Sequence, residues 1–278
     1  MSFLAFLRHV RPAIVLVLLL ALVAPASAQV PIFPGFEKYG IRPDNFTLSY
    51  CVDPRDPAWE VDKQIADAIA GALLIQPKPT VIDDPQIQDD LDELYRHLLG
   101  DCDLYFGFKL IADFYPDWLT TTAPYYEVGY VLVVKNPDWQ QLGDIPRDQP
   151  LGPTVGTSAD FRLIRYLTSI PEDQRWPRYP MGTDEEALQG VVDGKVAAAI
   201  VWGPSLSALS KTHADFSQLR VISSSPLPDE TLPVGAVLLS SNQYLRTSVD
   251  QAIKSLVADG TIEKILAGNH FVAKLPPN

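Results

Sequence analysis

Cysteine, histidine and positive charge are all scarce in this chain of 278 residues. The two cysteines and four histidines form no Cys-x-x-Cys motif and no cysteine–histidine cluster, so the sequence offers no zinc site. Lysine and arginine number 22 against 34 aspartate and glutamate residues, which gives a formal net charge of −12. This balance argues against binding to nucleic acid or to anionic membrane, and it is compatible with small ligands or a basic protein partner.

Residues 1–28 have the pattern of a secretory signal peptide. Arg8 and Arg11 form its positive segment, residues 13–23 are apolar, and Ala26-Ser27-Ala28 is a small-residue cleavage site. The apolar segment is too short and too close to this site for a membrane anchor, although an uncleaved anchor is the alternative. No second apolar run of spanning length follows. We therefore expect cleavage after Ala28 and an exported, periplasmic protein.

Both cysteines, Cys51 and Cys102, lie after this leader. An even number of cysteines in an oxidising compartment favours a disulfide bond. Two buried free thiols are the alternative.

The apolar patterning predicts an α/β protein in two halves. In the first half, the strands FTLSYCV, PTVID and CDLYFGF alternate with two helices, EVDKQIADAIAGALL and PQIQDDLDELYRHLLGD. This alternation is typical of a parallel sheet covered by helices. The second half repeats it through YEVGYVLVVK, LGPTVGTSADFRLIRYL, DEEALQGVVDGK, VAAAIVW and LRVISSS. The chain closes with VGAVLLSS and the helical segment LRTSVDQAIKSLVADGTIEKIL.

We therefore predict two lobes, each a parallel-rich sheet flanked by helices, with a hinge and a central cleft between them. Lobe one comprises residues 29–133 and a return segment at 234–278, and lobe two comprises residues 134–233. Open α/β sheets bind ligands at the carboxyl ends of their strands. A cleft between two such lobes is expected to hold a ligand and to close on it by hinge motion.

Several segments, taken in order, resemble the type II periplasmic solute-binding proteins, the extracellular family 3 proteins that serve ABC importers. They are CVDPRDPAWEVDKQIADAIAGAL, GDCDLYFGF, TTTAPYYEVGYVLVVK, VGTSADFRLIRYL and SVDQAIKSLVADGTIEKILAGNHF. The resemblance covers nearly all of the chain after the leader. It implies the two-lobed periplasmic binding protein-like II fold and a monomeric, non-catalytic protein that binds a small molecule.

Two charged residues of the amino-acid binders in this family are replaced here. Tyr115 stands where an arginine would grip the carboxylate of the ligand. Trp202 stands where an aspartate would hold the ammonium group. A bound zwitterion would leave buried charge uncompensated, which is costly. We therefore expect that simple α-amino acids do not bind.

A narrower resemblance is to the subgroup associated with quinoprotein dehydrogenases for methanol and related alcohols. Its carriers are Cys51-Val52-Asp53-Pro54, Cys102-Asp103 and Trp202-Gly203-Pro204. The Gly-Phe pair that usually precedes the first helix is absent. This resemblance implies that the partner is a periplasmic quinoprotein dehydrogenase. The alternative is an ABC permease, with this chain as the importer's binding protein for a small non-amino-acid solute.

These resemblances predict an aromatic cleft. Trp59 of lobe one and Trp202 of lobe two are expected to face each other, and Phe108, Tyr115 and Tyr125 lie at or near strand ends. Such a surface suits an aromatic or apolar ligand, or a protein segment with apolar anchors. The alternatives are that Trp202 packs in the core and that Tyr125 packs in the hinge.

Three polar residues are further candidates for ligand contact. Lys109 is placed to reach an anion or a carbonyl group, with a solvated side chain as the alternative. Thr157 and Ser158 precede a helix whose backbone N–H groups can hold an anion, with ordinary N-capping as the alternative.

Metal binding and catalysis find little support in the sequence. The acidic run DDPQIQDDLDE lacks the acid spacing and the central glycine of a calcium loop, so we expect a solvated helix start and no metal. No Ser-His-Asp or Cys-His order is evident, and no residue stands out as the general base that a dehydratase would need. We expect neither an enzyme nor a cofactor, with a periplasmic lyase as the least favoured function.

Overall fold

The structure is a computed structural model that describes residues 46–83 and 91–277. The predicted signal peptide, with its cleavage site after Ala28, lies outside these residues, as do residues 84–90 of the acidic run. Within the described part of the chain, no helix is both long enough and apolar enough to cross a membrane.

The strands of the described residues form one mixed sheet with the order β2–β1–β3–β9–β5–β7–β6, in which β4 also pairs with β9 and β8 with β5. In chain order they are β1 (Thr47–Val52), β2 (Gln76–Val81), β3 (Leu104–Lys109), β4 (Leu119–Thr121), β5 (Tyr126–Val134), β6 (Leu151–Pro153), β7 (Ala198–Trp202), β8 (Arg220–Ile222) and β9 (Thr231–Leu239). Strand β1 is parallel to both β2 and β3, as its β-α-β-α-β pattern predicts.

The helices cover this sheet through apolar faces. They are α1 (Trp59–Ala72), α2 (Leu91–Gly100), α3 (Ser158–Ser169), α4 (Asp184–Val192), α5 (Gly203–Thr212), α6 (Gln243–Ala258) and α7 (Thr261–Gly268). In α1 the buried positions include Val61, Ile65 and Ile69, which recur at helical spacing and form one face. The prediction of an α/β protein with a helix-flanked sheet is confirmed.

Strand β5 belongs to both halves of the sheet. Its residues 126–129 pair antiparallel with β9, whereas residues 130–134 pair antiparallel with β7. The chain thus crosses from one half to the other in the middle of β5 and returns ahead of β9. A third segment, near the C-terminus, also runs beside β5, where Lys274 bridges to Glu127.

Among the described residues, each half of the sheet packs two hydrophobic clusters, a larger and a smaller one, and the larger clusters form the main cores. One core packs α1, α6 and α7 against β1, β3 and β9, and its centre includes Tyr50, Ile65 and Phe106. The other packs α3 against β5 and β7, with Leu163 and Trp176 near its centre. Two independent cores are what a two-lobed protein needs. The lobe boundaries at 133/134 and 233/234 remain predictions.

Two glycines allow the crossing segments to touch backbone to backbone. A Cβ atom on Gly129 would lie 2.2 Å from the carbonyl oxygen of Glu230. A Cβ atom on Gly203 would lie 3.0 Å from the carbonyl oxygen of Gly129 and 3.1 Å from that of Val272. Because no side chain fits at these points, β5, the start of β9 and the C-terminal segment pack directly against one another.

A disulfide bond joins the end of β1 to the turn that leads into β3. Cys51 and Cys102 are bonded. Their Cα atoms are 5.7 Å apart, and the two residues are 51 positions apart in sequence. Both are buried, in a cluster that includes Leu94 and Leu98 of α2. The bond therefore holds the parallel pair β1 and β3 together beneath α2.

We expect the double variant Cys51→Ala, Cys102→Ala to fold with a free energy of unfolding lowered by roughly 2–5 kcal/mol, because the cross-link restricts the unfolded chain. Chemical denaturation monitored by circular dichroism measures this. Reductant should shift the wild-type midpoint the same way and leave the variant unchanged. Equal midpoints for oxidised wild type and variant would contradict the expectation.

Candidate functional site

The carboxyl ends of β1 and β3 and the start of α1 enclose a cavity of about 190 Å³. These two parallel strands end at the same edge of the sheet, where α/β folds commonly place ligands. The cavity is lined by the aromatic residues Trp59, Tyr105, Phe106, Phe108, Phe114 and Tyr115, by the acidic residues Asp53, Asp56 and Asp62, and by Lys109. The structure thus brings together four of the predicted ligand contacts, namely Trp59, Phe108, Lys109 and Tyr115.

The aromatic wall is built from the start of α1, from β3 and from the segment after β3. Trp59 is the first residue of α1, and its backbone N–H donates to the carbonyl of Asp56 at 3.0 Å. Tyr115 donates from its hydroxyl to the carbonyl oxygen of Lys109 at 2.5 Å, which folds the segment back over the strand end. The rings of Phe108 and Tyr115 lie 6.3 Å apart in an edge contact. Phe114 and Tyr115, two of the six aromatic residues, are therefore on a loop that a hydrogen bond holds to β3.

Trp202 lies at the end of β7 and reaches the cavity through Lys109. The Lys109 Nζ atom lies 4.8 Å from the centroid of the indole ring, which is a cation–π contact. The ring also lies 5.1 Å from that of Tyr130, and it packs against the core that contains α1. Trp202 is half-buried and does not itself line the cavity. It joins the second half of the sheet to the rim of a cavity formed by the first.

Tyr125 is fully buried and does not line the cavity. Its hydroxyl lies 3.0 Å from Asp62 Oδ1 and accepts from the backbone N–H of Gly107 at 3.0 Å. Because these protein groups occupy the hydroxyl, Tyr125 supports the cavity from behind. Hinge packing was the alternative role that the sequence predicts for Tyr125.

Thr157 and Ser158 lie at the start of α3, away from the residues that line the cavity. The Thr157 hydroxyl accepts from the backbone N–H of Asp160 at 3.2 Å, which is N-capping. The Asp160 carboxylate accepts from the backbone N–H of Gly156 and is paired with Arg178 at 2.6 Å through two nitrogens. The start of α3 therefore already carries a carboxylate supplied by the chain itself.

Asp62 is the main residue of the cavity that sequence reasoning missed. It is 1% exposed and lies on the buried face of α1, and its Oδ1 atom accepts from Tyr126 at 2.7 Å. Burial, and after it the charge of Asp56, raise the pKa of Asp62 to about 8, although the hydrogen bonds from Tyr126 and Tyr125 act to lower it. A signal was available, because an acid three residues before Ile65 and seven before Ile69 stands on the apolar face of the predicted helix.

Asp56 was missed as well. Its Oδ1 atom accepts from the backbone N–H of Ala58 at 2.8 Å in the turn that leads into α1. Burial raises the pKa of Asp56, and the Ala58 hydrogen bond and the charge of Lys109 partly offset that rise.

Asp53 differs from these two acids because its charge is paired. Both of its carboxylate oxygens accept from the guanidinium of Arg55, at 2.9 and 2.6 Å, so Asp53 braces the loop. Across residues 46–83 and 91–277, no group of three or more His, Cys, Asp or Glu side chains is arranged to hold a metal ion.

We expect the stability of the protein to fall as the pH rises from about 4 to about 8, because folded Asp62 keeps a proton that the unfolded chain has already released. The variant Asp62→Asn cannot titrate there and should be more stable than wild type at alkaline pH. Thermal melts across this pH range measure both effects.

Asp67→Asn is the matched control for this experiment. Asp67 is on the same helix and also accepts from a tyrosine hydroxyl, that of Tyr50 at 2.5 Å, but its side chain is 35% exposed. This control should keep the wild-type pH dependence. Parallel curves for wild type and Asp62→Asn would rule out a raised pKa for Asp62.

Neither a protein-family model nor a curated protein sequence matches this chain. Several solved structures are similar to it in fold. One is a polar amino acid ABC uptake transporter substrate-binding protein from Streptococcus thermophilus, with a TM-score of 0.64 and 16% identity over 87% of this chain and 91% of that one. Another is the L-cystine solute receptor of Neisseria gonorrhoeae in its unliganded open conformation, with a TM-score of 0.60 and 16% identity over 87% and 98% of the two chains.

A third similar structure is an ancestral cationic amino acid solute-binding protein, with a TM-score of 0.58 and 18% identity over 80% of this chain and 95% of that one. At these identities the likeness concerns the fold alone. The fold predicted from the sequence is confirmed: the chain has the two-lobed architecture of the periplasmic solute-binding proteins.

Proposed function

We propose that this chain is a non-catalytic, exported solute-binding protein that holds a small solute in the cavity at the ends of β1 and β3. The observation that carries the proposal is the aromatic lining of that cavity at the strand ends of a two-lobed fold. Lobe one would comprise residues 29–133 and 234–278, lobe two would comprise residues 134–233, and the leader would be removed after Ala28 for release into the periplasm.

In this proposal the walls of the ligand site are Trp59, Phe108 and Tyr115, with Lys109 at its rim. Lobe two covers the site through Trp202, whose ring contacts Lys109. The three segments that pack backbone to backbone at Gly129 and Gly203 form the pivot for closure. Closure removes the aromatic surfaces from water, and this burial is the main source of affinity.

We further propose a quinoprotein alcohol dehydrogenase as the partner system. Support comes from the motifs that resemble that subgroup. Cys51 and Cys102 of these motifs form the disulfide beside the cavity, and Trp202 lies on its rim. The protein would present a solute to the dehydrogenase or dock it directly.

The second candidate partner is the permease of an ABC importer. It is favoured by the similar structures, two of which are named as proteins of amino-acid uptake or solute reception. Neighbouring genes for a permease and an ATPase would support this candidate. Neighbouring genes for a quinoprotein dehydrogenase and a cytochrome c would support the first.

Tryptophan fluorescence tests the shared proposal, because Trp59 and Trp202 both lie at the cavity. We expect at least one solute from a set of alcohols, their oxidation products and quinone cofactors to shift the emission. The variant Trp59→Ala should weaken binding of that solute by about tenfold or more, since it removes a large apolar contact. Calorimetry measures the affinity without relying on the indole signal.

Trp139→Phe is the control, because Trp139 packs against the other core. It should bind the solute like wild type. The proposed link to alcohol oxidation fails if no solute of the set binds and the protein does not co-purify with the dehydrogenase, and the non-catalytic role fails if the purified protein turns a solute over.

We also expect glycine, alanine and phenylalanine to leave the fluorescence unchanged at millimolar concentration. In lobe two a tryptophan occupies the end of β7, and in lobe one the Tyr115 hydroxyl is already bonded to a backbone carbonyl. Neither offers a full charge to a zwitterion. Saturable binding of any of the three would show that the predicted exclusion of α-amino acids is wrong.

A further inference from the structure

Two carboxyl groups converge at one point inside the cavity. Gly107 has a φ of +88°, and a Cβ atom built on it would lie 3.0 Å from Asp62 Oδ2 and 3.6 Å from Asp56 Oδ2. Glycine is suited to this place, because it tolerates the left-handed backbone and leaves the space between the two carboxyls open. Asp62, Asp56 and Gly107 all line the cavity.

One of these carboxyl groups has an unused oxygen. Asp62 Oδ1 lies within hydrogen-bond distance of both tyrosine hydroxyls, those of Tyr125 and Tyr126. Within the described residues, Asp62 Oδ2 takes part in no hydrogen bond, although the side chain is 1% exposed. An oxygen in this position is stabilised by a polar group that enters the cavity, and a cation bound there favours the ionised form of Asp62, in which Oδ2 is an acceptor.

The other charged side chains that line the cavity do not provide a hydrogen-bond partner for Asp62 Oδ2. Asp53 is paired with Arg55, which holds both of its oxygens. Lys109 is exposed, and its ammonium lies against the ring of Trp202 at the rim. Among the described residues that line the cavity, the one lysine or arginine is Lys109 at the rim, whose charge lowers the pKa of Asp56 and which makes no hydrogen bond to either carboxyl of the floor.

The walls suit a cation as well. The faces of aromatic rings carry partial negative charge and attract ammonium groups. Trp59, Phe106 and Phe108 surround a volume of about 190 Å³, which has room for a single ring with a short side chain. An aromatic or apolar body would lie against these rings, and its charged end would point to the floor.

We infer that the solute is an organic ammonium ion, a primary amine with an apolar or aromatic body, whose nitrogen lies between Asp56 and Asp62. The inference rests on the proposed solute-binding function and specifies its ligand class. The three hydrogens of an ammonium group match the oxygens available at the floor. A carboxylate ligand would meet the negative charge of Asp56 there and is disfavoured by repulsion.

Three probes of nearly equal size and different charge test the inference. They are benzylammonium, benzyl alcohol and benzoate, titrated at neutral pH with tryptophan fluorescence and calorimetry. We expect benzylammonium to bind at least about tenfold more tightly than benzyl alcohol, because a charge-assisted hydrogen bond is roughly twice as strong as a neutral one. Benzoate should not bind.

A pair of matched variants identifies the floor as the source of this preference. Asp56→Asn keeps the Oδ1 acceptor for the Ala58 N–H and removes the charge, so it should reduce benzylammonium affinity about tenfold and leave benzyl alcohol unaffected. The control is Asp259→Asn, which makes the same change in a similar turn, where Asp259 Oδ1 accepts from the backbone N–H of Thr261. It should behave like wild type.

The inference is overturned if benzylammonium does not bind, if benzyl alcohol or benzoate binds as tightly, or if Asp56→Asn has no effect. These outcomes leave the proposed solute-binding function intact, because that function is decided separately by the uncharged alcohols, their oxidation products and the quinone cofactors. Failure of that set together with binding of benzylammonium would keep the ligand class and exclude the alcohol-oxidation solutes.

Discussion

The buried carboxyl of Asp62 fixes the relation between helix α1, strand β5 and the floor of the cavity. Two consecutive tyrosines, Tyr125 and Tyr126, point their hydroxyls at one oxygen of this carboxyl from the start of the strand that crosses between the lobes. Tyr125 also accepts from the N–H of Gly107, so β3 is part of the same network. The parts that form the cavity are therefore held by a polar cluster inside an apolar core.

Burying such a polar cluster lowers the stability of the folded state. A carboxyl that stays protonated to about pH 8 lowers the stability of the folded protein at higher pH, and an apolar residue of similar size would not. Groups kept at such a cost are frequent at binding sites, where burial and neighbouring charges shift pKa values. Asp62 follows this rule, because one of its oxygens faces the cavity at Gly107.

The fold could be predicted from the sequence, whereas the floor of the site could not. Apolar periodicity indicates most of the strands and helices but not β4, whose three residues are too few to show a pattern, and the two-lobed fold follows from the resemblance to a known family. Phe108 was accessible to sequence reasoning because it lies near a strand end, and Trp59 was accessible through the family resemblance. Asp62 was not, since a single acid within a helix is usually solvated, and only the packing of β3 and β5 around α1 shows that it is enclosed. Thr157 was placed in a ligand site because sequence cannot show that Asp160 and Arg178 already complete that helix start.

The backbone contacts at Gly129 and Gly203 limit how the two halves of the molecule can move relative to each other. Strand β5 runs without interruption from one half of the sheet into the other, so the two halves are not joined by flexible loops alone. A rotation of one lobe relative to the other would therefore have to twist β5 and the two segments that pack against it. In the proposed function, occupancy of the cavity would therefore twist β5. A partner that binds both lobes would then detect the change of shape without contacting the solute.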